Sequence, residues 1–196
     1  MTTRLDRLLA REPFVVLDGG LATELAARGH DLDDPLWSAR LLLDDPDAIA
    51  RVHEDYFRAG ADVAITASYQ ASLSGLRARG LDDAQAHAVL RRSVELATRA
   101  RDAFAPDTKL VVASLGSYGA TLANGAEYSG AFGDIDDDAL VAFHRERIDI
   151  LAPGSDLLAF ETIPSHFEAE AIARALAGAD FPGAWVSFTC RDATTS

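Results

Sequence analysis

The sequence is poor in cysteine and lysine, with Cys190 and Lys109 as the only examples among 196 residues. A single cysteine excludes an intrachain disulfide framework and any zinc site built from several thiolates of this chain. Acidic side chains outnumber basic ones and give a formal net charge of −13. Because phosphate binding relies on clustered arginine and lysine, we expect neither nucleic acid nor an anionic membrane surface as a partner.

Long hydrophobic runs and several diagnostic motifs are also missing. The longest apolar runs fall far short of the ~20 residues that cross a bilayer, and the N-terminus lacks the apolar segment of a signal peptide. We therefore expect a soluble, cytoplasmic protein. No G-x-G-x-x-G sequence follows the first apolar run, and no P-loop or G-x-S-x-G elbow is present, which argues against dinucleotide-binding and P-loop interpretations.

Five short apolar runs indicate β-strands in a chain whose length is typical of one domain. They lie at residues 14–17, 61–66, 110–115, 156–161 and 184–188. The runs are mostly continuous and do not alternate with polar residues. This pattern is typical of strands that are buried on both faces of a parallel sheet.

Helical segments separate the apolar runs, and each has a recognisable start. The starts are Asp45 before Pro46, Asp82 with Gln85 in capping-box spacing, the acidic turn at 136–138, and Ser165 with Glu168 in capping-box spacing. The order β-α-α-β-α-β-α-β-α-β predicts parallel strands with right-handed crossovers. An open doubly wound sheet and part of a (β/α)8 barrel both fit this order.

The histidines and the cysteine are weak candidates for a site. The sequence places His53, His87 and His144 on helices and His30 in an acidic loop, and we expect these four to be packing or surface residues. His166 lies near a strand end but also in a first helical turn. Cys190 is expected to be a small buried thiol without a metal.

Polar residues follow the apolar runs at the ends that either architecture places on its working face. They are Asp18 with two glycines, residues 66–70, residues 116–119, residues 161–164, and Thr189 with Cys190. Carboxylates bind an ammonium group, whereas hydroxyl and backbone N–H groups bind a carboxylate. These residues therefore favour a small zwitterionic ligand. Glu161 is the strongest single candidate, since a buried carboxylate without a partner is costly.

Several ordered segments together resemble the homocysteine S-methyltransferase family. They are LDGGLATEL at 17–25, LWSA at 36–39, TASYQA at 66–71, GSYGA at 116–120, EYSG at 127–130, ETIP at 161–164 and SFT at 187–189. The resemblance covers essentially the whole chain. It is closest to the branch that uses S-methylmethionine or S-adenosylmethionine as the methyl donor.

The resemblance implies an α/β fold, a (β/α)8 TIM barrel of which this chain supplies roughly the first five strands. Residues 1–196 would form the N-terminal part of a single homocysteine-binding domain. The implied reaction transfers a methyl group from a sulfonium donor to homocysteine and yields methionine. In the family, zinc held by three cysteine thiolates binds the homocysteine sulfur and activates it.

The resemblance also assigns roles to individual side chains. By position, Asp18 and Glu161 would hold the homocysteine amino group, Gly19 would allow close approach of the ligand, and Thr66 would help to fix the amino-acid head. The remaining predicted pocket residues are Trp37, Ser38 and Tyr69. No segment of this chain matches the family's zinc cysteines, so we expect no metal ligand here and no activity from these 196 residues alone.

Two alternatives remain open from the sequence. One is a catalytically dead half-barrel that binds an amino acid or a partner chain. The other is a different barrel enzyme that uses Asp18 and Glu161 as acid and base without a metal. Homocysteine binding without zinc favours the first alternative, and activity that is insensitive to chelators favours the second.

Overall fold

The sheet of the computed structural model is parallel throughout. The structure describes residues 3–34 and 36–190, and nothing is described of the Trp37 side chain. Within these residues the strands are β1 (Val63–Ile65), β2 (Leu110–Gly116), β3 (Leu157–Ile163) and β4 (Ala184–Phe188). They lie in the order β1-β2-β3-β4, and each neighbouring pair is parallel, as the βα alternation predicted.

Helices connect the strands and lie mainly on one face of the sheet. Among the described residues they are α1 (Arg4–Leu9), α2 (Leu21–Ala27), α3 (Leu41–Asp44), α4 (Pro46–Ala59), α5 (Leu73–Ala78), α6 (Asp83–Phe104), α7 (Tyr118–Thr121), α8 (Ala126–Ser129), α9 (Asp137–Leu151) and α10 (His166–Leu176), with 3₁₀ turns at Trp37–Arg40 and Ala152–Gly154. None of the helices in the described ranges combines the length and the apolar character that crossing a membrane requires.

Three of the predicted helix starts are confirmed by their hydrogen bonds. The side chains of Asp45, Asp82 and Asp136 each accept a bond from a backbone N–H in the first turn of α4, α6 and α9. Gln85 completes a reciprocal capping box with Asp82. Such side chains satisfy N–H groups that have no partner inside the helix, which explains why they could be found from sequence.

The capping box predicted at Ser165 is wrong in its second half. Ser165 does accept a bond from the Glu168 backbone N–H at the start of α10. The Glu168 carboxylate, however, is fully buried and accepts instead from the Tyr118 backbone N–H at 2.5 Å and from His144 Nε2 at 2.9 Å. A tertiary contact therefore replaces the local one at this position.

The first predicted strand, 14–17, forms only an isolated bridge between Leu17 and Val63. The Asp62 N–H donates to the Val16 carbonyl at 2.7 Å, and the Asp18 N–H donates to the Val63 carbonyl at 3.1 Å, so the segment does run parallel to β1. Phe14, Val16 and Leu17 stay 66%, 41% and 49% exposed. No strand lies on the other side of this segment among the described residues. It therefore has backbone hydrogen bonds on one side only and does not form a regular strand.

Alternate residues of the strands enter two different hydrophobic layers. Leu158 and Phe160 of β3 pack with the helices in the larger layer. Val112 and Ala159 point to the opposite face and form a smaller layer with Leu8 of α1. Because successive strand residues face opposite sides, this arrangement explains why the strands read as continuous apolar runs.

The larger layer should carry most of the stability. We expect Phe160→Ala to lower the free energy of unfolding by about 3–5 kcal/mol, because the fully buried ring leaves a cavity between sheet and helices. Phe167→Ala is the matched control, since that ring is 41% exposed on α10 and should contribute well under about 1 kcal/mol. Urea unfolding of both variants measures the difference, and equal losses would contradict the layer assignment.

Candidate functional site

A cavity of about 300 Å³ opens at the carboxyl ends of the strands. It is lined by Leu17, Asp18, Gly19, Gly20, Leu21, Ala22, Thr23, Ser38, Ile65, Thr66, Ala67, Tyr69, Ser114 and Glu161. Six of the seven site residues predicted from sequence are therefore brought together. The seventh, Trp37, has its side chain outside the described part of the structure.

The face of the sheet that carries the smaller hydrophobic layer, here called the inner face, changes from apolar to polar at the carboxyl ends of the strands. In β2 the inward positions run through Val112 to Ser114, and in β3 they run through Ala159 to Glu161. The Ser114 hydroxyl donates to Glu161 Oε2 at 2.6 Å. Ser114 is not among the site residues predicted from sequence because it lies inside an apolar run, although its alternation with Val112 on the same face of the strand is a signal that identifies it.

Asp18 lies at the same end of the sheet with only 3% of its side chain exposed. Its Oδ2 accepts a hydrogen bond from the Ile65 N–H at 2.9 Å. Burial raises the pKa of Asp18 to about 7 against the opposing effect of that bond, and the nearby Glu161 carboxylate raises it further. The pKa of Glu161 is also raised by burial, which the Ser114 hydrogen bond partly offsets.

The two carboxylates of the cavity lack a positively charged partner among the described residues. Neither is paired with a lysine or an arginine within the described residues, and the nearest basic group to Asp18 is His53, with Nδ1 3.9 Å from Asp18 Oδ2. Burial lowers the pKa of His53 to about 4, so this fully buried ring is neutral at physiological pH. His53 therefore packs behind Asp18, as predicted, without supplying a positive charge.

Thr66 belongs to a directional chain of hydrogen bonds beneath the cavity. The Ser68 hydroxyl uses its only proton to bond the Ser114 carbonyl at 2.7 Å, so the contact of 2.7 Å between Thr66 and Ser68 must have the Thr66 hydroxyl as donor. The Thr66 oxygen in turn accepts from the Ser114 N–H at 3.0 Å. Thr66 can therefore offer a ligand only a lone pair, which suits an ammonium group and not a carboxylate.

Gly19 has a packing reason to be glycine. A Cβ atom at this position would lie 2.7 Å from the Tyr56 hydroxyl and 2.9 Å from Tyr56 Cε1. The same hydroxyl contacts the Gly20 carbonyl at 3.4 Å. The loop between the first extended segment and α2 therefore lies directly against α4, and that close approach is made possible by the missing side chain.

Tyr69 spans the cavity from the loop after β1 to β3. Burial raises the pKa of its hydroxyl, and a hydrogen bond to the Thr162 side chain opposes that shift. Thr162 follows Glu161 and has a φ of 60°, an unusual value for a β-branched residue, within an irregularity of the β3–β4 pairing between Phe160 and Ile163. Local backbone strain thus coincides with the end of the strand that presents Glu161.

The described residues do not fit a thiolate zinc site. They contain no group of three or more histidine, cysteine, aspartate or glutamate side chains that could hold a metal ion. Cys190 is exposed, so its predicted burial is wrong. The residue follows β4, whose outer side has no neighbouring strand among the described residues, and a side chain there remains open to solvent.

A larger and more open cavity of about 980 Å³ lies on the outer side of the sheet, between α5 and α9. None of the predicted site residues lines it. Its charged groups are of both signs, with Arg77 and Arg145 near Glu146 and Asp149. The smaller cavity is the better candidate because unpaired carboxylates converge there, whereas the charges of the larger one balance each other.

Comparison with known proteins identifies the family of this chain. The family model described as homocysteine S-methyltransferase matches residues 15–196. The homocysteine S-methyltransferase of Escherichia coli (strain K12) is 50% identical over 194 residues, and homocysteine S-methyltransferase YbgG of Bacillus subtilis (strain 168) is 46% identical over 199 residues. Each match covers 96% of this chain and 62% of the relative, so the chain spans less than two thirds of their length.

Solved structures and a further relative extend the comparison. The crystal structure of the metallated form of the homocysteine methyltransferase MmuM from Escherichia coli has a TM-score of 0.92 at 48% identity, and the match covers 98% of this chain and 69% of that one. A selenocysteine Se-methyltransferase of Brassica oleracea var. italica is 47% identical over 196 residues, covering 91% of this chain and 56% of the relative. The fold is therefore the α/β fold of these TIM-barrel proteins, and the chain belongs to the homocysteine S-methyltransferase family.

Proposed function

We propose that residues 1–196 form the N-terminal part of a single homocysteine-binding barrel domain. The complete enzyme transfers a methyl group from a sulfonium donor, S-methylmethionine or S-adenosylmethionine, to homocysteine and so produces methionine. The observation that carries this proposal is the pair of buried carboxylates, Asp18 and Glu161, which line one cavity without a lysine or arginine partner among the described residues. A cytoplasmic location stays a prediction.

The ammonium group of homocysteine supplies the cation that this site lacks. Two buried carboxylates repel each other and lose hydration, so a bound cation restores the favourable interactions that burial removed. Asp18, Glu161 and the lone pair of Thr66 provide acceptors for its N–H groups. The hydroxyls of Ser38 and Thr23 line the same cavity and can donate to the ligand carboxylate.

The size and the aromatic lining of the cavity support the same ligand. A volume of about 300 Å³ lies at the small end of ligand pockets, which suits one amino acid. Tyr69 contributes an aromatic ring to the lining, and ring faces attract cations such as a sulfonium group. These features support an amino acid as one ligand and are compatible with a sulfonium compound as donor.

Zinc is the metal that the family resemblance implies for the complete enzyme. The residues described here do not fit it, because the chain has one cysteine and that cysteine is exposed. What this chain contributes is binding and orientation of the amino-acid head through Asp18, Thr66 and Glu161.

The decisive test is methionine formation by the complete gene product. We expect methionine to form from homocysteine with S-methylmethionine or S-adenosylmethionine, and comparison of the two rates identifies the donor. Binding of homocysteine without methyl transfer to either donor would contradict the proposal and favour an amino-acid-binding protein. Turnover that resists chelators but is lost in Glu161→Gln would favour a metal-free acid–base enzyme.

Glu161→Gln should weaken binding of the ligand amino group. We expect the KM for homocysteine to rise about 10- to 100-fold, as is typical when a hydrogen bond to a charged group is lost, with little change in the KM for the donor. Steady-state kinetics with 4-mercaptobutanoate, which is homocysteine without its amino group, tests the cause. The preference of the wild type for homocysteine over this analogue should largely disappear in the variant.

Glu146→Gln on α9 makes the same chemical change outside the cavity, at a carboxylate that pairs with Arg77. We expect this control to keep the wild-type KM and the wild-type preference for homocysteine. A Glu161→Gln enzyme that still prefers homocysteine to the analogue by the wild-type factor would show that Glu161 does not bind the amino group.

Asp18 should make ligand binding depend on pH. With a pKa of about 7 in the free site, its carboxyl holds a proton below neutrality and must release it to accept an ammonium N–H. We expect the affinity for methionine to rise between about pH 6 and about pH 8, with release of about one proton per ligand at the lower pH. Calorimetric titration in buffers of different ionisation enthalpy measures both quantities.

Methionine is the ligand of choice because its thioether does not titrate, unlike the homocysteine thiol. Asp18→Asn should bind methionine weakly at every pH, so persistence of the wild-type pH profile in this variant would assign the titration to another group. Since the folded pKa lies above the unfolded value of 3.8, Asp18 also makes the ligand-free protein less stable as the pH rises toward about 7. Stabilisation by the ligand is therefore largest above neutrality.

A further inference from the structure

Arg147 is a fully buried cation on α9 whose guanidinium bonds only backbone carbonyls. The side chain is 1% exposed and donates to the carbonyls of Gly116 at 2.8 Å, Ser68 at 3.1 Å and Tyr69 at 3.0 Å. Its Cζ atom lies 5.1 Å from the centre of the Phe143 ring. Burial makes each donor of a guanidinium depend on a nearby acceptor, and Nη1 and Nη2 of Arg147 find theirs in these three carbonyls, whereas Nε has no hydrogen-bond partner among the described residues.

The three carbonyls belong to two different strand ends. Ser68 and Tyr69 lie in the loop after β1, whereas Gly116 is the last residue of β2. The Gly116 N–H also donates to the Tyr69 carbonyl at 3.2 Å, and a Cβ atom at position 116 would lie only 2.5 Å from that oxygen. Arg147 therefore holds the Tyr69 backbone against the end of β2 at a point where no side chain fits.

The negative charge nearest to this arrangement is also buried. Glu168 of α10 accepts hydrogen bonds from the Tyr118 N–H and from His144, which is adjacent to Phe143 on α9. Burial lowers the pKa of Arg147 to about 10, against the opposing effect of Glu168, and the guanidinium therefore stays charged at neutral pH. Glu168 holds the loop after β2 as Arg147 holds the loop after β1.

The held backbone carries two side chains of the candidate site. Thr66 and Tyr69 both line the cavity, in which Glu161 also lies. Tyr69 is thus fixed at its carbonyl by Arg147 and Gly116. A shift of this carbonyl moves the ring that forms one wall of the cavity.

We infer that Arg147 is a positioning residue that sets the shape of the amino-acid cavity by holding the Tyr69 carbonyl against the end of β2. The expected change in the KM for homocysteine rests on the proposed function, whereas the expected change in backbone hydrogen exchange does not. Arg147 does not line the amino-acid cavity, although it lines the larger cavity beside α9. Its effect on homocysteine passes through Tyr69 and Thr66.

The first variant is Arg147→Lys in the complete gene product. Lysine keeps the charge but has no planar fork, so it cannot bond all three carbonyls with the same geometry. We expect the KM for homocysteine to rise about tenfold, as expected for a displaced binding group, while the KM for the donor stays within about twofold. Hydrogen exchange at the amides of residues 68–71 and of Gly116 should become faster.

Arg145→Lys is the matched control on the same helix. Arg145 also donates to two carbonyls, those of Ala175 at 2.6 Å and Ala177 at 3.1 Å, but these lie at the end of α10 away from the cavity. We expect its substitution to speed exchange around residues 175–179 and to leave the KM for homocysteine unchanged.

Gly116→Ala tests the same contact without removing the arginine. The added Cβ atom pushes against the Tyr69 carbonyl, so this variant should reproduce the rise in KM even if Arg147→Lys folds poorly. Unchanged homocysteine KM in both Arg147→Lys and Gly116→Ala would overturn the inference and leave Arg147 with a role in stability alone.

The exchange measurement separates this inference from the proposed function. Absence of methyl transfer by the wild-type protein would count against the proposed function. Faster exchange at residues 68–71 and 116 in Arg147→Lys would still support the positioning role, provided that Arg145→Lys changes exchange only around the end of α10. Unchanged exchange at these amides would overturn it whether or not the enzyme is active.

Discussion

The parallel register of β2 and β3 places Ser114 and Glu161 at the same end of the inner face, and the burial of a carboxylate there is the constraint on which the site depends. Asp18 joins it from the segment beside β1, through a hydrogen bond to the Ile65 N–H. Neighbouring carboxylates that lose hydration are stable only with hydrogen bonds, protons or a cation. The loop contacts around the cavity hold these two carboxylates where the ammonium group of the proposed ligand can bond to them.

Two buried charges on the helical side of the sheet maintain the loops at its carboxyl end. Arg147 bonds carbonyl groups and Glu168 bonds an N–H group, so each charge adds hydrogen bonds to backbone groups at or just after the strand ends. The helices therefore do more than cover the hydrophobic layer. They also determine how the loops that carry the site side chains are spaced.

Local patterns explain which features could be predicted from the sequence. Caps such as Asp82 with Gln85 act within one turn, and strand-end polar residues such as Asp18 and Glu161 stand out against apolar runs. The role of Arg147 could not be predicted, because its three carbonyl partners are backbone groups 31, 78 and 79 residues away. The spacing of Ser165 and Glu168 predicts a local cap because the tertiary partners of Glu168 are distant in sequence. The apolar run 14–17 predicts a regular strand because the sequence does not show that the segment has a neighbouring strand on one side only among the described residues.

The hydrogen-bond chain that runs from Thr66 through Ser68 to the Ser114 carbonyl has one fixed direction, so Thr66 at the floor of the cavity can only accept a further hydrogen bond. Asp18, Glu161 and Thr66 all present acceptors, and a primary ammonium group carries three N–H donors. The nitrogen of an N-acylated amino acid carries one N–H and no charge, whereas a fully methylated nitrogen carries a charge but no N–H. For the proposed amino-acid ligand, such a floor favours a free ammonium group over an acylated or fully methylated nitrogen.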